Sequence, residues 1–410
     1  MTGQNSGTAQ PSFVEFVLLM ALLTSLVALS IDAMLPALPV IGTDLGVQDP
    51  NDNQYVITVF FLGFAIGQLF YGPISDSTGR KPAIYGGLVL FIIGGLISTF
   101  APNYTLMLMG RLLQGLGAAA PRTVTIAMIR DQYEGRAMAR VMSFVMAVFI
   151  IIPVIAPALG QGMLILAGWR SIFALILGMV VITTVWFALR QPETLATDKR
   201  PPLSLGRIAR DMAEAFRNRV ALSYTLASGL VFGAFVSYLV TSQQIFDEIY
   251  GLAEWFPALF AALAITIGLS TLTNAQMVMR FGMRALSTKA LYVLAGLSIA
   301  FFAVGLLYDG KPPLWQFMVY AMITFFCVGI LFGNLMALAM RPLGHIAGAG
   351  AAVIGAASTL ISIFLGGVIG QAFNGTILPL VGGFSLLSIA SLAVIYWGND
   401  TAPLDEPTPA

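Results

Sequence analysis

Charged residues are scarce in this chain. They make up 10% of 410 residues, against 58% apolar, and mean hydropathy is +0.88. A soluble domain carries about a quarter charged residues, so folding around one core would leave too little polar surface. Cysteine and histidine are scarcer still, at one each. Cys327 stands in an apolar run, cannot form an intrachain disulfide, and reads as a small core residue rather than a reactive thiol. His345 stands in a loop and reads as solvated. Neither residue has the neighbours for a metal site or for Cys/His nucleophile chemistry. The net charge of +1 leaves no basic patch separable from the loops, and no nucleic acid partner is expected. No Gly-x-x-x-x-Gly-Lys-Ser/Thr loop occurs, which argues against ATP drive.

Long apolar runs are abundant. About 20 apolar residues cross the hydrocarbon of a bilayer. Twelve such runs are legible, near 13–41, 54–74, 82–100, 104–129, 138–166, 169–190, 219–246, 254–279, 287–308, 314–339, 348–373 and 377–398. The first twelve residues, MTGQNSGTAQPS, lack the basic start and cleavage site of a signal peptide, so the first run reads as a retained span. The organisation is a tail (1–12), six spans (13–190), a polar linker (191–218), six spans (219–398) and a second tail (399–410). The linker is rich in Pro, Lys, Arg and Glu, and a short amphipathic helix is expected over 203–217, lying at the membrane surface. The expected fold is all-α and integral to the membrane, with two pseudo-symmetric six-helix bundles.

Lysine and arginine mark the cytoplasmic side. Of 20 such residues, 16 fall on the side of the linker and only two, Arg170 and Lys311, fall in the opposite loops. Both tails and the linker are therefore expected in the cytoplasm. The remaining two, Arg111 and Arg122, stand inside span 4. The halves also echo each other: SDSTGRKP after span 2 and MRFGMRAL after span 8 each set a glycine beside basic residues. Internal repeats around a midplane site are a common transporter plan.

The loop GQLFYGPISDSTGRKP is the most specific stretch. Gly72 and Pro73 end a helix or admit a close neighbour, and Gly79 supplies a tight turn. Asp76 is placed to accept bonds from Arg80, while Arg80 and Lys81 hold the loop at an anionic leaflet. A plain basic anchor does not need all of these at this spacing. The stretch resembles the loop signature of the major facilitator superfamily, in which an Asp and basic residues form a charge relay that latches the outward-facing state. The resemblance assigns that relay to Asp76 and Arg80, within a latch of Gly72, Asp76, Gly79, Arg80 and Lys81.

Span 4 supplies a second resemblance. LMLMGRLLQGLGAAAPR matches the family's Arg-x-x-Gln-Gly-x-Gly pattern through Arg111, Gln114, Gly115 and Gly117. An arginine in a span faces a cavity or partner, or snorkels to the surface. In the family it is tied to proton coupling. Span 5 carries IIIPVIAPALGQG, where Pro153, Pro157 and Gly160 permit bending and tight packing. The match to the family's antiporter motif is partial, with Ala156-Pro157 and Gly160-Gln161-Gly162 in place of its Gly-Pro and Gly-Gly pairs.

Asp32, in LSIDAMLPALP, is the carboxylate of span 1. It lies about ten residues before the outer end of its span, and Arg111 lies about eight after the outer start of span 4. At about 1.5 Å per residue the two share one depth. One reading is an exchange site: a carboxylate beside a guanidinium stays ionised until a proton or substrate competes. The other is an Asp near the headgroups, at a helix end broken by Pro36 and Pro39.

DAMLPALP, GFAIGQLFYGP, MIRDQY, MSFVMAVFIIIPVIAP and FGNLMALAMRPLGHIAGAGAAVIG together resemble the bicyclomycin/chloramphenicol-resistance branch of the twelve-span drug:proton antiporters. The resemblance implies export of drug-like molecules across a bacterial inner membrane in exchange for protons, with no cofactor, by a monomer, with Asp32 as the membrane carboxylate. An exporter of one metabolite (an amino acid, sugar or siderophore) is the alternative. A membrane enzyme lacks support, because no acid pair or His/Cys cluster stands at catalytic spacing. Candidate cavity residues are Arg122, Gln114, Tyr55, Phe61, Gln68, Tyr238, Gln243, Gln244 and Asn334, with Asn274 and Gln276 as further polar positions. Arg122 either snorkels to the cytoplasm or lines the cavity. If it lines the cavity, it favours anionic or hydrogen-bond-accepting solutes.

Overall fold

A computed structural model describes residues 11–398. Both tails expected from the sequence, apart from residues 11 and 12, lie outside the described residues. The helices in chain order are α1 (Phe13–Asp32), α2 (Leu38–Asp44), α3 (Tyr55–Thr78), α4 (Arg80–Thr99), α5 (Tyr104–Gln132), α6 (Gly135–Ala167) and α7 (Trp169–Arg190). They continue with α8 (Leu205–Arg217), α9 (Arg219–Gln244), α10 (Phe256–Phe281), α11 (Met283–Leu307), α12 (Leu314–Met340), α13 (Ala347–Gln371) and α14 (Leu378–Gly398). Among the described residues twelve helical segments are long and apolar enough to cross a membrane, and each coincides with an expected span. The protein is an all-α, multi-pass membrane protein.

Local chemistry sets the ends. Ser12, Asn103 and Asn218 cap α1, α5 and α9 by accepting from the backbone N–H three residues on. Gly79 turns the chain from α3 into α4 at φ 110°, and Gly282 turns it from α10 into α11 at φ 75°. These are the two glycines of the internal echo, and both backbone conformations favour glycine. The first span is not one helix. α1 stops at Asp32, a 3₁₀ turn covers Leu35–Ala37, and α2 resumes at Leu38. Pro36 and Pro39 lack the N–H that a continuous helix would need.

α3 and α5 pack with their backbones nearly touching: a Cβ on Gly115 would lie 1.8 Å from the Phe60 carbonyl oxygen. Close backbone approach is how membrane helices associate where no hydrophobic drive exists between them. The first six spans meet the last six through α3 against α13 and α6 against α10. The linker helix α8 covers the expected amphipathic stretch and packs on α9 and α13. His345, read as solvated, is exposed but contacts Glu214 of α8. The compact turn after α12 brings it to the linker.

Candidate transport site

The two sets of spans are joined differently at their two ends. Opposite the linker, the 3₁₀ segment Pro50–Gln54 is bonded to the second set. Gln54 Nε2 donates to Gln244 Oε1 at 2.8 Å and to the Gly370 carbonyl at 3.0 Å. Gln244 Nε2 donates to Asn51 Oδ1 at 2.9 Å, and Asn51 Nδ2 donates to the Phe373 carbonyl at 2.9 Å. Buried polar groups left unpaired cost about 1–3 kcal/mol each, so this network is a seal with a defined geometry. At the linker end a cavity of about 320 Å³ lies between the sets, lined by Gln68, Asp76, Arg122, Met336, Ala352 and linker residues 201–204, among others. The network bonds the two sets together on the far face, although a cavity of about 240 Å³ remains beside it, lined by Gln54, Gln243 and Gln244 among others; the 320 Å³ hollow opens on the linker face.

Several candidate residues do not line this cavity. Gln114 is fully buried and accepts from Arg111 Nη1 at 2.9 Å. Phe61 packs edge-on against Phe232 across the interface, 6.0 Å between centroids. Tyr238 sits in an aromatic cluster with Phe325 and Phe260, its hydroxyl buried without a partner. Asn334 is held by reciprocal amide bonds to Asn274, at 2.9 and 3.2 Å. Gln244 belongs to the far-face seal, and Gln243 donates to Asp247 there. Tyr55 lies exposed at the far-face end of α3, and Gln276 is exposed on α10. Asn334 and Gln244 bond to neighbouring segments, Gln114 and Gln243 to residues three and four away along their own chain, and Tyr55 and Gln276 are exposed, while the Tyr238 hydroxyl is left unpaired. Gln68 and Arg122 do line the cavity.

Asp32 and Arg111 share a depth but make no bond to each other. The Arg111 guanidinium donates to the carbonyls of Val56 and Ser30, both at 3.0 Å, as well as to Gln114, and lies 4.5 Å from the Phe60 ring centroid. Asp32 is 5% exposed and makes no hydrogen bond or ion pair with any described residue. Gly160 of α6 packs on the break that follows it: a Cβ there would lie 1.9 Å from the Ala33 carbonyl oxygen. The Pro153-Pro157-Gly160 stretch thus meets span 1 beside the carboxylate, while α6 itself stays a continuous helix.

The loop after span 2 forms a network. Arg80 is 4% exposed and pairs with Asp76 and with Asp131 at the end of α5, the latter at 2.8 Å. The linker joins it. Glu193 accepts from the backbone N–H groups of Arg80 and Lys81, both at 3.0 Å, and so caps the start of α4. Thr194 donates to Asp131, Lys81 Nζ to the Gln191 carbonyl, and Arg200 to the Thr78 carbonyl. Asp131 and Glu193 were not singled out in the sequence. The signals were the Asp of MIRDQY and the lone acid of QPET. Glu193→Ala is expected to free this linker stretch, raising tryptic cleavage after Lys199 by about threefold or more, as local opening becomes cheaper. Electrophoresis of timed digests checks it.

Two sets of six spans, sealed at one face and hollow at the other, with a solitary buried carboxylate between them, define a secondary transporter. The chain belongs to the Major Facilitator Superfamily, whose family model matches residues 20–370. It is therefore a membrane transporter of small molecules rather than an enzyme. It is 29% identical to an uncharacterized MFS-type transporter, YdgK, of Bacillus subtilis, covering 89% of this chain and 87% of that one. It is 28% identical to a bicyclomycin resistance protein homolog of Haemophilus influenzae, covering 95% and 97%. It is also 28% identical to the multidrug resistance protein MdtL of Escherichia coli, covering 92% and 94%. Its fold is similar to a D-xylose–proton symporter (TM-score 0.75, 14% identity, covering 97% and 100%) and to the human organic anion transporter MFSD10 (TM-score 0.69, 18% identity, covering 95% and 100%).

Proposed function

We propose that the protein exports drug-like organic molecules across a bacterial inner membrane in exchange for protons, as a monomer and without a cofactor. The observation that carries this reading is Asp32: a buried carboxylate with no bonded partner, at the break of span 1, against the glycine of the span 5 motif. An ionisable group inside a span is costly and is retained for a function such as proton relay. Resemblance to resistance proteins over most of the chain supports drugs as cargo. With the linker and tails in the cytoplasm, the linker-face cavity loads from inside. Substrate binding there favours release of the Asp32 proton inward. Rocking breaks the Gln54–Gln244 seal and opens the far face, where Asp32 is reprotonated as substrate leaves. The Arg80 network is made in this far-face-closed form, within the first set of spans and the linker, so we assign it no part in holding the outward-facing form.

The test is resistance in an efflux-deficient bacterium expressing the chain, against chloramphenicol-type, bicyclomycin-type and cationic compounds. Resistance to at least one class is the expected result. Sensitivity to all of them at confirmed membrane expression removes drug export.

A further inference from the structure

Arg122 has no bonded partner of its own. It makes no hydrogen bond or ion pair with any described residue, and its guanidinium rests 4.9 Å from the Phe149 ring centroid of α6. Its side chain lines the linker-face cavity. The other charged groups there are Asp76, which Arg80 already holds, and Arg130. The cavity therefore carries unneutralised positive charge. Elsewhere in the spans the same residue type is fully served, for Arg111 has three oxygen acceptors. A half-buried guanidinium that faces a cavity without an acceptor of its own is placed to bind an anion, because its planar fork suits a carboxylate bidentately. The wall from the second set is apolar, with Met336 and Ala352; Ile126 lies beside Arg122 on α5, and Gln68 adds one amide. At about 320 Å³ the cavity is of small-ligand size.

We propose that this cavity selects amphipathic organic anions, with a carboxylate or equivalent anionic group on Arg122 and an apolar body against α12 and α13. The proposal deepens the export reading and rests on the cavity being the loading site. It ranks cargo in the order anion, neutral acceptor, cation.

The experiment measures binding of naphthylacetate, naphthylacetamide and naphthylethylamine to the purified full chain in zwitterionic-lipid nanodiscs. The acid is expected to bind at least about tenfold tighter than the amide, the size of one charge-assisted hydrogen bond, and the amine weakest. Arg122→Gln is expected to erase the acid's advantage over the amide, with an unchanged melting temperature reporting an intact fold. Arg122→Lys is expected to keep part of it. Equal binding of acid and amide, preference for the amine, or an acid preference that survives Arg122→Gln overturns the inference. Loss of acid binding on adding phosphatidylglycerol also overturns it, by giving the site to a lipid phosphate. The resistance panel reports separately. Resistance restricted to cations sinks this inference and keeps drug export, whereas acid selectivity without any resistance keeps this inference and sinks drug export.

Discussion

Asp32→Asn is expected to bring drug resistance down to the level of cells without the protein. Asparagine keeps the size of the carboxyl and cannot carry the charge, so it imitates one protonation state permanently. Asp32 is buried and unbonded at a helix break, so nothing in its surroundings is lost except the titration itself. Folding should therefore survive, and the deficit should be one of coupling. In everted vesicles, adding substrate should release protons through the natural chain and none through the variant. Substrate binding to the purified variant should weaken by no more than about tenfold, since one pKa unit of linkage is worth about 1.4 kcal/mol. Asp32→Glu should recover part of the activity. Full resistance in Asp32→Asn would place proton coupling on another group.

Arg111→Lys should act on the fold first. The guanidinium ties α5 to the Ser30 carbonyl of α1 and the Val56 carbonyl of α3, and bonds Gln114 of its own helix, with Phe60 against its face. A lysine ammonium is a compact point donor and cannot reproduce that fork. Two buried acceptors left unserved cost about 1–3 kcal/mol each. A visibly lower melting temperature in detergent is expected, with less folded protein in the membrane. The pH midpoint of substrate-induced proton release should stay where it is, because Arg111 does not touch Asp32. A midpoint that moves with Arg111→Lys, at unchanged melting temperature, would restore the ion-pair exchange read from the shared depth of the two residues.

That contrast shows which level of structure the sequence carries. The spans were legible because lipid demands long apolar runs with internally bonded backbones, and the linker because only its charges interrupt them. The depth match of Asp32 and Arg111 was also legible, since rise per residue is fixed. The rotation of each side chain about its helix was not. It is set by backbone contacts such as Gly160 on Ala33 and Gly115 on Phe60, which a span's sequence does not announce. The same ignorance made Gln114, Asn334 and Gln244 candidates for the cavity, although each is bonded to another side chain instead. Arg122 has no such neighbour, and the sequence left both span arginines open between an interior site and the surface. Asp131 and Glu193 escaped because their partner, the first turn of α4, lies 51 and 113 residues away along the chain.

The linker has one further consequence. Residues 191–200 are bonded to the first set of spans, through Glu193, Thr194 and Arg200. α8 is seated on the second set. Only Pro201, Pro202, Leu203 and Ser204 lie between these two attachments, and all four stand at the mouth of the cavity. Four residues of chain reach at most about 14 Å when fully extended, and the paired prolines are stiff. The segment is thus a short leash with both ends moored. It caps how far the two bundles can part at that mouth while its moorings hold, and with it the girth of any cargo that enters there.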